Sequence, residues 1–464
     1  MYSPNSPVYE GATLLFPLGP GLIVPFEYTG YKEEILASKT TAWIGLSLMN
    51  SPVYDLKGPD AVNFLNSVCV NDFTNLGEKG IRHAVICNEK GQILTDGVVI
   101  KIAEDTFRTY WLNPPIDYLV KTSGMDVEGE DITGREYFIQ IVGEKSLEIL
   151  EKACECDLHD IKFATHRMTK INGKDMRVIR LGMTGNLAYE VHDPMEDFEE
   201  VYQRIWESGR SFGAKKLGFH AYCLSHTEGG FPNIHIHYPL PWFESDEGRY
   251  AVDGGLSVYL KDRPDIAIYN INRRLRGSVG DDLDVRFVTP YDVGWGHLVK
   301  FNHEFPGRKA LEKIAQNPPR TVVTLEWNAE DIAAVYATQF RGREVEPCER
   351  IDAEPLDIAY QENIAGWPDE GFIYRADKVM ADGKMVGIST GRICSYYYNR
   401  MISLGFINPR YAEVGKELTL IWGTPGTPQK EIRVKVARYP YIDLIRNEHR
   451  DVETIPRYRK YFLF

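Results

Sequence analysis

The segment Ala84 to Ile100, AVICNEKGQILTDGVVI, restricts the fold of this chain more than any other. Two short apolar runs, Ala84 to Cys87 and Val98 to Ile100, flank Asn88, Glu89, Lys90 and Gly91. Those four are turn-forming residue types, so the segment reads as two strands joined by a tight turn. Asp96 interrupts the otherwise apolar run Ile93 to Ile100 at the start of the second strand, between Thr95 and Gly97. A carboxylate in that place either caps a turn or projects into a pocket.

The chain has 464 residues, more than one ordinary domain holds, and two or three are expected. A formal net charge of -13 argues against a nucleic-acid backbone as partner, although a small anionic ligand answers to local charge only. The seven cysteines are scattered and odd in number. Cys154 and Cys156 form a C-x-C without a second pair, so no metal site is expected and the thiols read as reduced, in a cytoplasmic setting. No segment approaches the roughly 20 apolar residues of a membrane span. The N-terminus lacks a basic leader and is broken by Pro17, Pro20 and Pro25, so it does not read as a signal peptide. Residues 1 to 30 read instead as an ordered arm over the body.

Further along, Val53 to Leu56 reads as a strand, and Gly58-Pro59-Asp60 opens a helix through about Val68. Strands are expected at Gly97 to Ala103, Thr106 to Leu112, Tyr137 to Val142 and Met176 to Leu181. Helices are expected at Glu144 to Ala153 and Glu196 to Glu207. His235-Ile236-His237 alternates like a strand, and H-x-H is a known metal-ligand spacing, but no third ligand is evident. After Asn317-Pro318-Pro319-Arg320 the pattern becomes short strands with Gly/Pro turns, the signature of a small antiparallel barrel. The expected division is 1–320 and 321–464.

Five ordered segments carry a resemblance. CNEKGQILTDGVV is similar to the N-E-x-G-G-I-x-D-D motif of the folate-dependent aminomethyltransferase family, that of the glycine cleavage T protein; Asp96 matches its second aspartate and Thr95 replaces the first. GPDAVNFLNSVCVND resembles the family's G-P-D-A-x-x-F-L and N-D segments. LGMTGNLAYEVHDP resembles G-Y-T-G-E-x-G-[FY]-E-I, with Glu190 at the last glutamate. TPYDVGWGHLVKFNHEFPGRKAL and VGISTGRICSYYYNRMISLGFI are similar to its later motifs. The resemblance implies an α+β fold: a three-domain cloverleaf with two intertwined α+β subdomains and a C-terminal antiparallel β-barrel. It also implies tetrahydrofolate as methyl acceptor.

In the run GFHAYCLSHTEGGFP, Tyr222 stands where the T protein has a folate-binding arginine. That substitution resembles the tetrahydrofolate-dependent aromatic O-demethylases of the vanillate and syringate type. The resemblance implies that Tyr222 lies at the reacting methyl and that Asp96 holds or polarises the pterin near the accepting nitrogen. Glu190, with Asn113 and Phe231, would complete the folate site. Substrate would be chosen by Asn50, Leu112, Phe16 and His220, with His226, His235 and His237 as further candidates. Asn50 and Leu112 stand where the vanillate enzyme presents a histidine and an arginine, so a para-carboxylate has no obvious partner and an ortho-methoxybenzoate such as dicamba fits as well. A phenolic proton donor suits the chemistry, because a reference pKa of about 10 matches a departing phenol. Without the motifs, Glu190 reads as a solvated charge, Tyr222 as a core tyrosine, Tyr396 to Tyr398 as barrel packing and Arg392 as balancing an acidic surface. Two other functions stay open: a demethylase of an amine or sulfonium donor, and a non-enzymatic folate-binding protein, whose K-G-C-[YF]-x-G-Q motif is missing here.

Overall fold

The hairpin forms, longer at both ends than its apolar runs. The computed structural model describes residues 6–19, 22–46, 51–234, 236–251, 275–352, 357–358 and 372–458. Strands β1 (Leu14–Gly19) and β2 (Leu22–Glu27) pair as an N-terminal hairpin, followed by helix α1 (Tyr31–Thr40) and β3 (Trp43–Gly45). Next come β4 (Val53–Lys57), α2 (Ala61–Val68), β5 (Ile81–Cys87), β6 (Ile93–Ala103), β7 (Thr106–Tyr110), α3 (Pro115–Ser123) and β8 (Glu128–Asp131). These strands make a five-stranded sheet in the order β5-β6-β7-β4-β8.

A second sheet follows from β9 (Glu136–Val142), α4 (Ser146–Cys154), β10 (His166–Ile171), β11 (Lys174–Ile179), β12 (Ala188–Pro194), α5 (Phe198–Arg210) and β13 (Lys215–Leu217). Its order is β10-β11-β12-β9-β3-β13, antiparallel except where β13 runs parallel to β3. Side chains alternate across β9, so Tyr137, Ile139 and Ile141 enter the core that also holds Leu147, Leu150, Val201 and Ile205 of α4 and α5. Phe138, Gln140 and Val142 face the opposite way, toward the middle of the molecule. Helix α5 starts at Phe198 because Met195–Asp197 after Pro194 form a separate 3-10 turn.

The C-terminal strands close into a six-stranded antiparallel barrel. Its order runs Phe372–Ala381, Lys384–Ser395, Arg400–Ile407, Thr321–Trp327, Lys430–Ala437 and Glu417–Trp422, the last pairing back onto the first. Helix α6 (Phe219–Gly229) lies where the arm, the sheets and the barrel meet, and every one of its residues is buried. Beneath it, Lys39 of α1 pairs with Glu228 at 2.6 Å, both side chains about 1 % exposed, and the Ser395 hydroxyl donates to the other Glu228 oxygen.

Three expectations change. His237 lies in a turn rather than a strand; its Nδ1 accepts from the Asn233 N–H and its Nε2 meets the Thr227 hydroxyl, while His235 lies outside the described residues. Arg392 is buried, its guanidinium 4.9 Å from the Trp422 ring, so it serves the barrel interior. Tyr396 leaves the barrel to meet the Tyr31 hydroxyl at 2.9 Å, joining barrel to α1.

Candidate active site

Asp96 sits in the middle of β6, and its carboxylate caps no turn. Val85 lies opposite Asp96 and His83 opposite Val98, so His83 and Asp96 are diagonal neighbours on one face of the sheet. His83 Nε2 is 2.9 Å from Asp96 Oδ2, and the buried Tyr238 hydroxyl donates to Oδ1 at 3.0 Å. Thr95 points the other way, its hydroxyl donating to the Trp111 carbonyl at 2.8 Å. Trp111 holds a left-handed backbone, φ 68°, which a bulky residue adopts only where its surroundings impose it.

The second sheet offers Glu190 on β12, directly opposite Gln140 on β9. His192 Nε2 lies 3.1 Å from Glu190 Oε2 and its Nδ1 3.2 Å from the Tyr110 hydroxyl, which itself donates to Glu136, a link between the two sheets. Glu190 Oε1 has no hydrogen-bond donor among the described residues, and Gln140 Oε1 is buried with no partner among them. Asn113 donates its amide to Asp131, while its own Oδ1 is buried without a partner among the described residues. Buried acceptors left open in this way are costly unless a ligand completes them. Glu190 and Gln140 thus offer two acceptors side by side to a ligand that carries N–H donors along one edge.

From the third side comes Tyr222 on α6, 6 % exposed, its hydroxyl without a hydrogen-bond partner among the described residues. Burial first, then the nearby Cys223 and Glu190, push its proton affinity well above the ordinary tyrosine value, so the phenol stays protonated. His226 meets the Tyr222 ring edge-on at 4.6 Å and donates from Nδ1 to the Tyr222 carbonyl at 3.1 Å. Burial pushes His226 down to about 4, so it is neutral at physiological pH. Phe231, just past the helix, stands 6.3 Å from the His226 ring, 5.6 Å from His83 and 5.4 Å from Trp295. Trp295 meets His83 edge-on at 4.5 Å. One aromatic lining thus runs from Tyr222 to the His83–Asp96 pair.

The expected substrate residues are not gathered there in the same way. Leu112 is fully buried in the core of the first sheet, where Gly97 lies against it. His220 points to the N-terminal arm: its Nδ1 is 2.7 Å from Glu27, and its ring stacks on Phe26 at 4.8 Å. Phe16 lies in β1 with its side chain outside the described residues, as does all of Asn50. A cavity of about 580 Å³ opens behind His192, but Arg108 on its wall is already spent on Asp55, with two contacts of 2.6 Å. Sequence reasoning missed His83, Gln140, Tyr238 and Trp295. Only His83 carried a local signal, two residues before Val85 on the Asp96 face of the hairpin.

The GCVT N-terminal domain model matches residues 24–237. The chain is 54% identical over 436 residues to a sesamin methylene transferase from Sinomonas sp. strain No.22, covering 94% of each chain. It is 28% identical over 452 residues to a syringate O-demethylase from Sphingobium sp. strain SYK-6, covering 92% of each. Among solved structures, the glycine cleavage system aminomethyltransferase T from Bartonella henselae superimposes with a TM-score of 0.64 at 18% identity, over 95% of this chain and 96% of that one. That last likeness speaks for the fold.

Proposed function

The chain belongs to the glycine cleavage T protein family of folate-dependent aminomethyltransferases, and on that premise we propose that it takes a one-carbon group from an aromatic ether and passes it to tetrahydrofolate. In the first form of the reaction an aryl methoxy group gives its methyl, yielding 5-methyltetrahydrofolate and a phenol. The folate is consumed in each turnover, so it is a second substrate, supplying the nucleophilic nitrogen.

An aryl methyl ether resists this transfer because a phenolate leaves poorly. Holding donor and acceptor in line, about 3 to 3.5 Å apart, contributes several kcal/mol. A proton donor at the leaving oxygen adds roughly 10²- to 10⁴-fold. The observation that carries the proposal is Tyr222: a buried, protonated phenol whose hydroxyl has no hydrogen-bond partner among the described residues, across an aromatic lining from Asp96. In this reading it protonates the leaving oxygen, Glu190 and Gln140 hold the pterin edge, Asn113 and Phe231 border it, and Asp96 lies toward the acceptor nitrogen. We also propose the division of the chain near residue 320, and a cytoplasmic setting, for which the free cysteines speak.

A second form is favoured by the 54% relative, whose name specifies methylene transfer. A methylene bridge between two aryl oxygens would go to the same acceptor, giving a methylene-folate and a catechol. The two forms are separated by anaerobic incubation with tetrahydrofolate and vanillate, syringate, guaiacol, dicamba or a methylenedioxyarene, with the folate product read by mass. Methyl-folate or methylene-folate from an aromatic donor is the expected outcome. Transfer from sarcosine or dimethylsulfoniopropionate alone would move the enzyme to amine or sulfonium donors, and folate binding without any transfer would leave a binding protein.

A further inference from the structure

We infer that His83 and Asp96 form a working imidazole–carboxylate pair, in which His83 is the base that takes the acceptor nitrogen's proton and Asp96 is its positioning residue. This rests on the one-carbon transfer proposed above, and it adds a catalytic residue to that site.

The pair is fixed from both ends. Asp96 accepts from the buried Tyr238 on Oδ1 and from His83 on Oδ2. A carboxylate can only accept from a neutral imidazole, so the proton of His83 is held on Nε2 and the lone pair on Nδ1. Nδ1 has no hydrogen-bond partner among the described residues, and the His83 side chain retains 22 % exposure against 9 % for Asp96. The ring packs against a Trp295–Phe231 pair, 4.5 Å from the first and 5.6 Å from the second, on the lining that leads to Tyr222. A lone pair oriented by a buried carboxylate and left open to the site is the arrangement of a general base.

The proton count requires such a base. As the acceptor nitrogen bonds to the methyl carbon, the C–O bond breaks and its electron pair stays on the aryl oxygen. Tyr222 gives its phenolic proton to that oxygen, which leaves as the phenol. His83 Nδ1 takes the proton that the newly alkylated nitrogen must lose. The imidazolium and the tyrosinate that remain are neutralised by one proton passing between them through solvent, so the enzyme returns to its starting state. With a methylene donor the same exchange happens once per C–O bond.

Nitrogen-15 NMR of the ring-labelled histidines in the ligand-free protein tests the geometry without turnover. The wild type should show His83 as the Nε2–H tautomer, and D96N should shift it toward Nδ1–H, because a carboxamide can present a donor instead of an acceptor. In single turnover with an accepted donor, H83A should slow transfer by at least ~100-fold, with the tetrahydrofolate dissociation constant changed less than about threefold. Added imidazole should restore H83A at least ~10-fold and leave Y222F unrestored. An Nδ1–H tautomer in the wild type, or an H83A enzyme within about threefold of the wild-type rate, overturns the pair. A wild type that binds folate but transfers carbon from no donor overturns instead the reaction on which the assignment depends, and the two failures are distinguishable.

Discussion

Tyr222 is a buried residue whose hydroxyl nothing in the described protein satisfies, a polar atom that gains no hydrogen bond from the fold. Such a group is retained against stability where a ligand completes it. Tyr222→Phe should therefore keep or slightly raise the melting temperature while turnover falls by at least ~100-fold; thermal unfolding and single-turnover rates on one preparation check both halves. His226 behind it gives a pH effect. Its folded pKa of about 4 lies below the reference 6.5, so between those values the unfolded chain binds a proton that the folded one does not. Stability must then fall as pH drops through that window, by up to ~3 kcal/mol, and His166, also pushed down to about 4 by burial, adds in the same direction. Urea titrations at about pH 5 and pH 7.5 should show the loss, and His226→Asn should reduce it. At this scale the candidate site could be proposed from sequence where a motif marked the residue, as for Asp96, Glu190 and Tyr222, all three of which are buried. It was illegible for Gln140, Tyr238 and Trp295, which reach the site from distant segments. His220 was expected at the substrate as one of several histidines, yet two positions from Tyr222 turn its side chain onto another face of the helix, against Glu27 and Phe26.

Among the elements, the hairpin and its neighbour leave almost no clearance. A methyl group on Gly97 would lie 1.9 Å from the Tyr110 carbonyl oxygen and 3.2 Å from Leu112. Gly97→Ala should cost at least ~2 kcal/mol and displace Asp96 beside it, so denaturant midpoint and transfer rate should fall together. The hairpin itself was readable because apolar alternation and turn residues are both local properties. Boundaries were less so: β6 starts at Ile93, since Thr95 and Asp96 take strand geometry despite their polarity. His235 to His237 misled for the converse reason. Its alternation has the period of a strand, but the Asn233 backbone is bonded to His237, and that makes a turn. Helix α6 has no polar stripe because it is covered on all sides, a condition that no periodicity announces.

Across the whole molecule, the Lys39–Glu228 pair joins α1 to α6, and Ser395 brings in the barrel. Removing one partner leaves the other charge stranded away from water, so Lys39→Met should cost ~3–5 kcal/mol, while the double variant Lys39→Met/Glu228→Leu should recover much of the loss. Calorimetry on the two variants checks the difference. The three-lobed arrangement was legible through the order of the five motifs, whereas the contacts that lock the lobes together were not, since each unites residues hundreds of positions apart. The enclosure of α6 has a further consequence for biosynthesis. The Ile442 N–H donates to the Glu228 carbonyl and the Tyr439 hydroxyl to that of Gly230, so the cover of this helix is translated some two hundred residues after the helix itself. A nascent chain must carry Tyr222 and its apolar neighbours exposed, or held by a chaperone, until residues 439 to 442 have left the ribosome. Truncation before Tyr439 should therefore injure a site whose motif-marked residues, Asp96, Glu190 and Tyr222, lie some two hundred positions or more upstream.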